Sequence, residues 1–256
     1  MRTRKIIVIS IAVAFLLITV LAVLTMFSLR KAEVNYAVDK DTDSGEIQQV
    51  LDGFLGKNLL FFDEQEVVDA LKPFNYIEVL SVEKDYPNVL KVSVKERREV
   101  YYFEHQNKLY VTNEDGFLLN CLPLGTEINT REMIELKLSN VKILDVTLGK
   151  IMETDSPVLM TTVFEMAKSA NLTDCIKAMS VIKPAAGEMS DVHISTHTGV
   201  NIVIQKVDEY GQEKIRSAFS AYDEKINDFE KGFGTLLVGV VNGEIKVTWS
   251  GNTDIG

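Results

Sequence analysis

Two cysteines, five prolines, three histidines and one tryptophan are thin provision for 256 residues. Each shortage excludes something. A disulfide-knit scaffold needs dense cysteine pairs, and Cys121 with Cys175 allows one bridge at most. A single disulfide and two unpaired, buried small hydrophobes both remain open for that pair. There is no CxxC pair for redox chemistry or zinc. His193 and His197 stand four apart, but in a segment that reads as a strand. Four strand residues span about 13 Å, too far for one ion. GxSxG, HExxH and phosphate-loop patterns are missing, and Gly232-Phe-Gly234 lacks the strand-before, helix-after setting of a nucleotide loop. The carboxylates fall in caps and on polar helix faces. No catalytic residue, cofactor, metal or small-molecule substrate is therefore expected.

Charge is absent from one stretch and one-sided in the rest. Ile6 to Leu29 holds no ionisable residue, and only Ser10, Thr19, Thr25 and Ser28 among these 24 positions lie outside the apolar set. As a helix the run reaches roughly 36 Å, enough for a bilayer core of about 30 Å. A cleaved leader would have a shorter apolar core and a small-residue cleavage site, and Met26-Phe-Ser-Leu-Arg-Lys31 offers none. Residues 6–29 are thus expected to be a transmembrane helix in contact with the lipid bilayer. The preceding Met1-Arg-Thr-Arg-Lys5 has three basic residues, nearly matched by Arg30, Lys31 and Lys40 beyond it. A five-residue tail against a bulk of 227 residues fits a signal anchor, with the N-terminus cytoplasmic and the bulk exported. That bulk carries 24 basic and 37 acidic side chains, a net charge of −13. Such a surface argues against nucleic acid as a partner.

Beyond the anchor, Ala32–Val38 alternates as a strand. Asp43 and Glu46 have capping-box spacing, and Ile47, Val50, Leu51, Phe54 and Leu55 follow on one helical face. Asp63 with Glu66 repeats the cap before Val67, Val68 and Leu71. Ile77–Asp85 reads as a strand whose inward phase shifts from Ile77 and Val79 to Leu80 and Val82, as a bulge would produce. Leu90, Val92 and Val94 mark the next strand. The order through residue 97 is β-α-α-β-β, a three-stranded sheet covered by two helices. Val100–Phe103, Leu109–Thr112 and Phe117–Leu119 make a meander. Residues 120–150 show only Leu144, Val146 and Leu148 as a strand candidate. Ser156 and Pro157 start a helix with Val158, Leu159, Thr162, Val163, Met166 and Ala167 as its apolar face. Strands are expected at Ile176–Ile182, Val192–Ser195 and Val200–Gln205. A helix over Gln212–Phe229 buries Ile215, Phe219, Tyr222, Ile226 and Phe229, with Lys214, Arg216, Asp223, Lys225 and Asp228 on its polar side. Thr235–Val241, an Asn242-Gly243 turn and Glu244–Trp249 close the pattern as a hairpin. The class is α+β.

Several pieces together resemble a known family. They are a short basic tail, one span, Gly56-Lys-Asn58-Leu-Leu-Phe61 between two helices, Phe74-Asn-Tyr76-Ile77, Val82 with Pro87, and Glu96-Arg97 closing the third strand. Leu109-Tyr-Val-Thr-Asn-Glu-Asp115-Gly116-Phe-Leu-Leu119 adds a D-x-G-x-ℓ hairpin. The pattern is similar to the bacterial division proteins FtsQ and DivIB, in which a POTRA domain is followed by a β domain. It departs from theirs at Glu99, at Gln205-Lys206 and in Leu236–Gly239. The resemblance implies a cytoplasmic tail at 1–5, the transmembrane helix at 6–29, a POTRA domain at 30–98, a β-rich α+β domain at 99–250 and a flexible tail at 251–256. It also implies a non-enzymatic, single-pass component of the divisome at the division septum. Such a protein binds other single-span division proteins, DivIC/FtsB-like and FtsL-like, and helps to control septal peptidoglycan synthesis. An exported cell-envelope hydrolase and a POTRA-type polypeptide chaperone are the alternatives. The docking edge is expected near the C-terminus, on Thr235, Leu237, Val240, Ile245, Lys246, Val247 and Trp249.

Overall fold

The computed structural model describes residues 2–37, 44–129, 131–170, 175–184, 189–224, 226 and 230–251. Asp43, Lys225, Asp228, Phe229 and residues 252–256 lie outside them, so the expected first cap, the end of the long helix and most of the tail do too. The chain divides into two compact units, Met1–Arg97 and Arg98–Gly256.

The first unit begins with helix α1 (Arg2–Met26). Its stretch Ile9–Met26 is long and apolar enough to cross a membrane, and none of it is buried by protein. Two hydroxyls within it turn back on the helix: Thr19 Oγ1 donates to Phe15 O and Thr25 Oγ1 to Ala22 O, both at 2.9 Å. Without water, polar groups have to be satisfied in this internal way.

Then come β1 (Lys31–Tyr36), α2 (Ser44–Asp52), α3 (Gln65–Leu71), β2 (Ile77–Asp85) and β3 (Val89–Glu96), the β-α-α-β-β order read from the sequence. The sheet runs β1-β3-β2, with β1 parallel and β2 antiparallel to β3. Leu90, Val92 and Val94, alternating along the central strand, are fully buried under Ile47, Leu51, Phe54, Val67 and Leu71. Phe54 and Phe62 meet edge to face, centroids 5.6 Å apart. Arg97 fastens the end of β3 by donating from its guanidinium to Asn75 O and Ile77 O.

Three readings need correction here. Leu55 is exposed, because α2 has already ended at Asp52 and the helical phase no longer applies. The bulge in β2 falls between Val79 and Ser81 as expected, but Leu80 is the extra residue and points out at 50% exposure. The Asp63 carboxylate accepts from Gln65 N–H at 3.0 Å, and Glu64 holds the N-cap position of α3 without a side-chain cap.

No free linker separates α1 from this domain. Leu29 N–H donates to Lys57 O (2.8 Å), Gly56 N–H to Leu29 O (2.9 Å) and Leu59 N–H to Phe27 O (2.8 Å). The Asn58 side-chain amide reaches Leu24 O in the last helical turn at 2.7 Å, while its Oδ1 accepts from Leu60 N–H at 2.9 Å.

The second unit is built on β4 (Tyr101–His105), β5 (Lys108–Thr112), β6 (Leu118–Pro123), β7 (Ile134–Ser139), β8 (Ile143–Asp145), β9 (Glu153–Thr154), α4 (Pro157–Ala170), β10 (Ile176–Ile182), β11 (Asp191–Thr196), β12 (Asn201–Ile204), α5 (Gly211–Glu224), β13 (Thr235–Val241) and β14 (Glu244–Ser250). Nine of these strands form one sheet in the order β14-β13-β12-β11-β10-β7-β4-β5-β6. The inward residues Met179, Val181, Val192, Ile194, Ile202, Ile204, Leu236 and Val238 share a core with Leu159, Val163, Phe164 and Met166 of α4 and with Ile215, Phe219 and Tyr222 of α5.

Here the sequence reading missed β7, whose Ile134-Glu-Leu-Lys-Leu138 alternates cleanly. The strand expected at Leu144–Leu148 reduces to β8, paired only with the two-residue β9, and Leu144 and Leu148 are exposed. The α4 face is rotated: Val158 is 79% exposed, Thr162 is half-buried, and Met160 and Phe164 are buried. Ser156 Oγ is engaged by Lys183 Nζ at 2.6 Å and by the Asp155 carboxylate rather than by the helix backbone. Lys214 is not on a polar face. It is 1% exposed, and its ammonium donates to Gln205 O (2.9 Å) and Lys206 O (2.8 Å), carbonyls that the loop after β12 turns toward α5. Burial holds this ammonium below the ordinary lysine range, against the opposing pull of Glu209 and Asp191.

Two predictions follow from these cores. Leu51→Ala should lower the opening free energy of β3 by about 2–5 kcal/mol, read as lost hydrogen-exchange protection at Leu90, Val92 and Val94, while exposed Leu80→Ala changes it by under about 0.5 kcal/mol. Lys214→Met should cost the second unit about 1–3 kcal/mol by removing both ammonium bonds, which leaves Gln205 O without that donor and Lys206 O with Glu209 N–H alone, read through the fluorescence of Trp249. Between the depressed folded pKa of Lys214 and its unfolded value of about 10.4, the unfolded chain holds the extra proton, so stability rises with pH. The Lys214→Met variant should lack that rise.

Candidate partner-binding edge

An exposed strand edge offers a row of unpaired N–H and C=O groups to any extended segment that can lie alongside. The nine-stranded sheet has two such edges, β6 and β14. The start of β6 is already occupied: Leu118 N–H donates to Lys150 O (2.8 Å), and Leu118 O accepts from Gly149 N–H (2.9 Å). On β14, Ile245, Val247 and Trp249 show no backbone partner beyond β13 among the described residues.

The turn decides which groups of β14 face outward. Asn242 (φ 54°) and Gly243 (φ 82°) form a two-residue loop between Val241 and Glu244, the left-handed pair of a type I′ turn. Such a turn closes with a hydrogen bond from Glu244 N–H to Val241 C=O. In an antiparallel ladder the bonded pairs alternate. The backbone of Glu244, Lys246, Thr248 and Ser250 is thereby turned toward β13. The N–H and C=O groups of Ile245, Val247 and Trp249 are turned to the open side.

The seven expected docking residues are brought together on β13 and β14, but not in one role. Ile245, Val247 and Trp249 are half-buried and pack on the core, opposite Val240, Val238 and Leu236. They present main chain at the edge while their side chains fill the interior. Lys246 is exposed, across from Gly239 on the other face, where Leu237 and Val241 are exposed too. Thr235 is buried at the start of β13, and Val240 is 37% exposed near the turn. Glu244 and Lys246 are the only charged residues of the two strands, so the edge is nearly neutral.

Trp249 is held in place by a close approach. Gly234 sits at φ +105°, and a Cβ there would lie 2.6 Å from the indole ring and 2.7 Å from Ser250 O. The other residues singled out for chemistry are not gathered. His193 lies in β11 opposite Ser180 and Val203, and the backbone of His197 bonds to Cys175 O in the following turn. Cys121 and Cys175 are half-buried and are not bridged to each other. Among the described residues no group of three or more His, Cys, Asp or Glu side chains could hold a metal ion.

The first unit, a three-stranded β-α-α-β-β sheet entered directly from a long apolar helix, is a POTRA-class domain. Residues 27–97 match the family model described as POTRA domain, FtsQ-type. The resemblance to the FtsQ/DivIB family is borne out on that domain and on two curated relatives. One is the cell division protein DivIB of Clostridium botulinum strain Hall, 25% identical over 140 residues, which are 53% of this chain and 51% of that protein. The other is DivIB of Clostridium acetobutylicum strain ATCC 824, 22% identical over 163 residues, 59% of this chain and 64% of that one. The chain thus spans about half to two thirds of the length of the curated relatives it matches. Among solved structures, the major extracytoplasmic domain of DivIB from Geobacillus stearothermophilus, trans isomer, matches with 13% identity and a TM-score of 0.30, over 52% of this chain and 98% of that one.

The Gly234 contact gives a local test. Gly234→Ala and Gly243→Ala both place a side chain at positive φ, but only the first meets other atoms. Gly234→Ala should be the more destabilising by about 1–3 kcal/mol and should shift the emission of Trp249; equal losses would show that the indole yields freely.

Proposed function

We propose that this chain is a non-enzymatic, membrane-anchored divisome component at the division septum. The observation that supports this reading is an FtsQ-type POTRA domain joined directly to an apolar helix able to cross a membrane. The curated relatives named as cell division proteins support it as well. On this reading α1 spans the membrane once, the N-terminus is cytoplasmic and the two folded units are exported. Other single-span division proteins, DivIC/FtsB-like and FtsL-like, are the partners, and septal peptidoglycan synthesis is controlled through them.

The docking site is the β13–β14 edge. A partner segment adds itself beside β14, taking the outward N–H and C=O groups of Ile245, Val247 and Trp249. Main-chain bonds supply affinity, and the exposed Lys246, Leu237 and Val241 discriminate among side chains. The C-terminal edge is favoured over the POTRA edge β2, because the bulge at Leu80 interrupts the ladder along that strand.

The test separates main chain from side chain. Val247→Pro removes one outward donor and spares the bonds to β13, since proline is tolerated on an edge where its missing N–H would face solvent. Val247→Ala removes the same packing but keeps the donor. Each full-length variant is titrated with the extracytoplasmic segment of the DivIC/FtsB-like protein from the same cell. Val247→Pro should weaken binding about 10-fold or more relative to Val247→Ala, equivalent to about 1.4 kcal/mol. Equal affinities in two folded variants would exclude this edge.

A further inference from the structure

In the first unit beyond α1, five large apolar side chains are exposed among the described residues: Leu55, Leu60, Phe61, Leu80 and Tyr86. Four of the five gather where α1 ends. Leu55 precedes Gly56, whose N–H bonds to Leu29 O. Leu60 and Phe61 follow Leu59, whose N–H bonds to Phe27 O, and both donate their own N–H groups to Asn58, to Oδ1 and O respectively. Asn58 is itself bonded to Leu24 O inside the last turn of the helix. The ring of Tyr86 stands edge-on to Phe27 with centroids 5.8 Å apart, and two residues further on Asn88 O accepts from Arg30 N–H. Phe61 is the most exposed of the set at 78%.

Two residues of chain reach at most about 7 Å, so Leu60 and Phe61 stay within roughly that distance of backbone bonded to the helix exit. That is the level at which a spanning helix leaves hydrocarbon for headgroups. Leucine, phenylalanine and tyrosine are the side chains that a membrane boundary accepts, and Arg30 and Lys31, both exposed, are suited to the headgroups. A protein partner could use an apolar patch too. The bilayer is the occupant favoured here, because the bonds that fix this patch fix it to the membrane-spanning helix itself. Wherever α1 is inserted, lipid lies beside it.

We propose that Leu55, Leu60, Phe61 and Tyr86 are seated in the headgroup–acyl boundary of the bilayer that α1 spans, so that the POTRA domain rests on the membrane surface by its α2–α3 connection. The proposal rests on the reading of α1 as a membrane span. Lipid recognition is by burial of apolar area and does not require a particular headgroup.

The experiment uses the full chain in phosphatidylcholine vesicles, with Trp249→Phe removing the native indole and far-UV circular dichroism confirming the fold. Single tryptophans are then introduced by Phe61→Trp, by Phe15→Trp within α1, and by Leu80→Trp in β2, six residues or about 20 Å along the extended chain from Tyr86. Lipids brominated near the headgroup or deep in the acyl chain serve as quenchers. Phe61→Trp should be quenched, more by the shallow bromine than by the deep one. Phe15→Trp should be quenched more by the deep one, and Leu80→Trp by neither. If Phe15→Trp is quenched and Phe61→Trp behaves like Leu80→Trp, the seating is wrong while the span stands. If Phe15→Trp is not quenched, the span and the seating fall together.

Discussion

Parallel pairing of β7 with β4 on one side and β10 on the other holds the second unit together. Only two residue pairs, Tyr101 with Ile134 and Tyr102 with Glu135, join β7 to the meander. Five join it to β10. Remove that strand and the sheet separates into a three-stranded meander and a five-stranded block, each with a new edge in the middle of the molecule. The position of β14 at the outer rim is a consequence. Every strand between β14 and β6 has two neighbours, so the unpaired main chain collects at the two ends of the row.

That dependence explains which parts of the fold were legible in the sequence. The POTRA helices and strands follow from local periodicity and short connections, and Ile47, Leu51, Val67, Leu90, Val92 and Val94 are buried as their spacing indicates. The Asn242-Gly243 turn likewise declares its hairpin. Strand β7 was missed although its alternation is regular. It lies in a stretch with few apolar neighbours, and its partners are parallel strands distant in the chain, which no local signal announces. Lys214 was misplaced for a related reason. Helical phase puts it at the margin of the apolar stripe, but whether a lysine there faces water depends on the carbonyls that a preceding loop aims at it.

The candidate edge shows the same division. The hairpin and its apolar alternation were visible in the sequence. Which main-chain groups face outward was not, because that depends on the closing bond of the turn combined with the order of all nine strands. The half-buried state of Ile245, Val247 and Trp249 does not conflict with a docking role for the backbone that carries them. In a strand, side chain and main chain point in perpendicular directions, so one residue can complete a core and still offer its peptide groups to a neighbour.

The joint at Asn58 has a mechanical meaning. Four residues separate α1 from β1, and the backbone of three of them, Phe27, Leu29 and Arg30, is already bonded to the loop at 57–59 or to Asn88. A connection tied on both sides has no swivel. Twisting α1 about its own axis, as when a second helix packs against it, therefore carries β1 round with it. The torque passes through hydrogen bonds rather than being lost in slack chain.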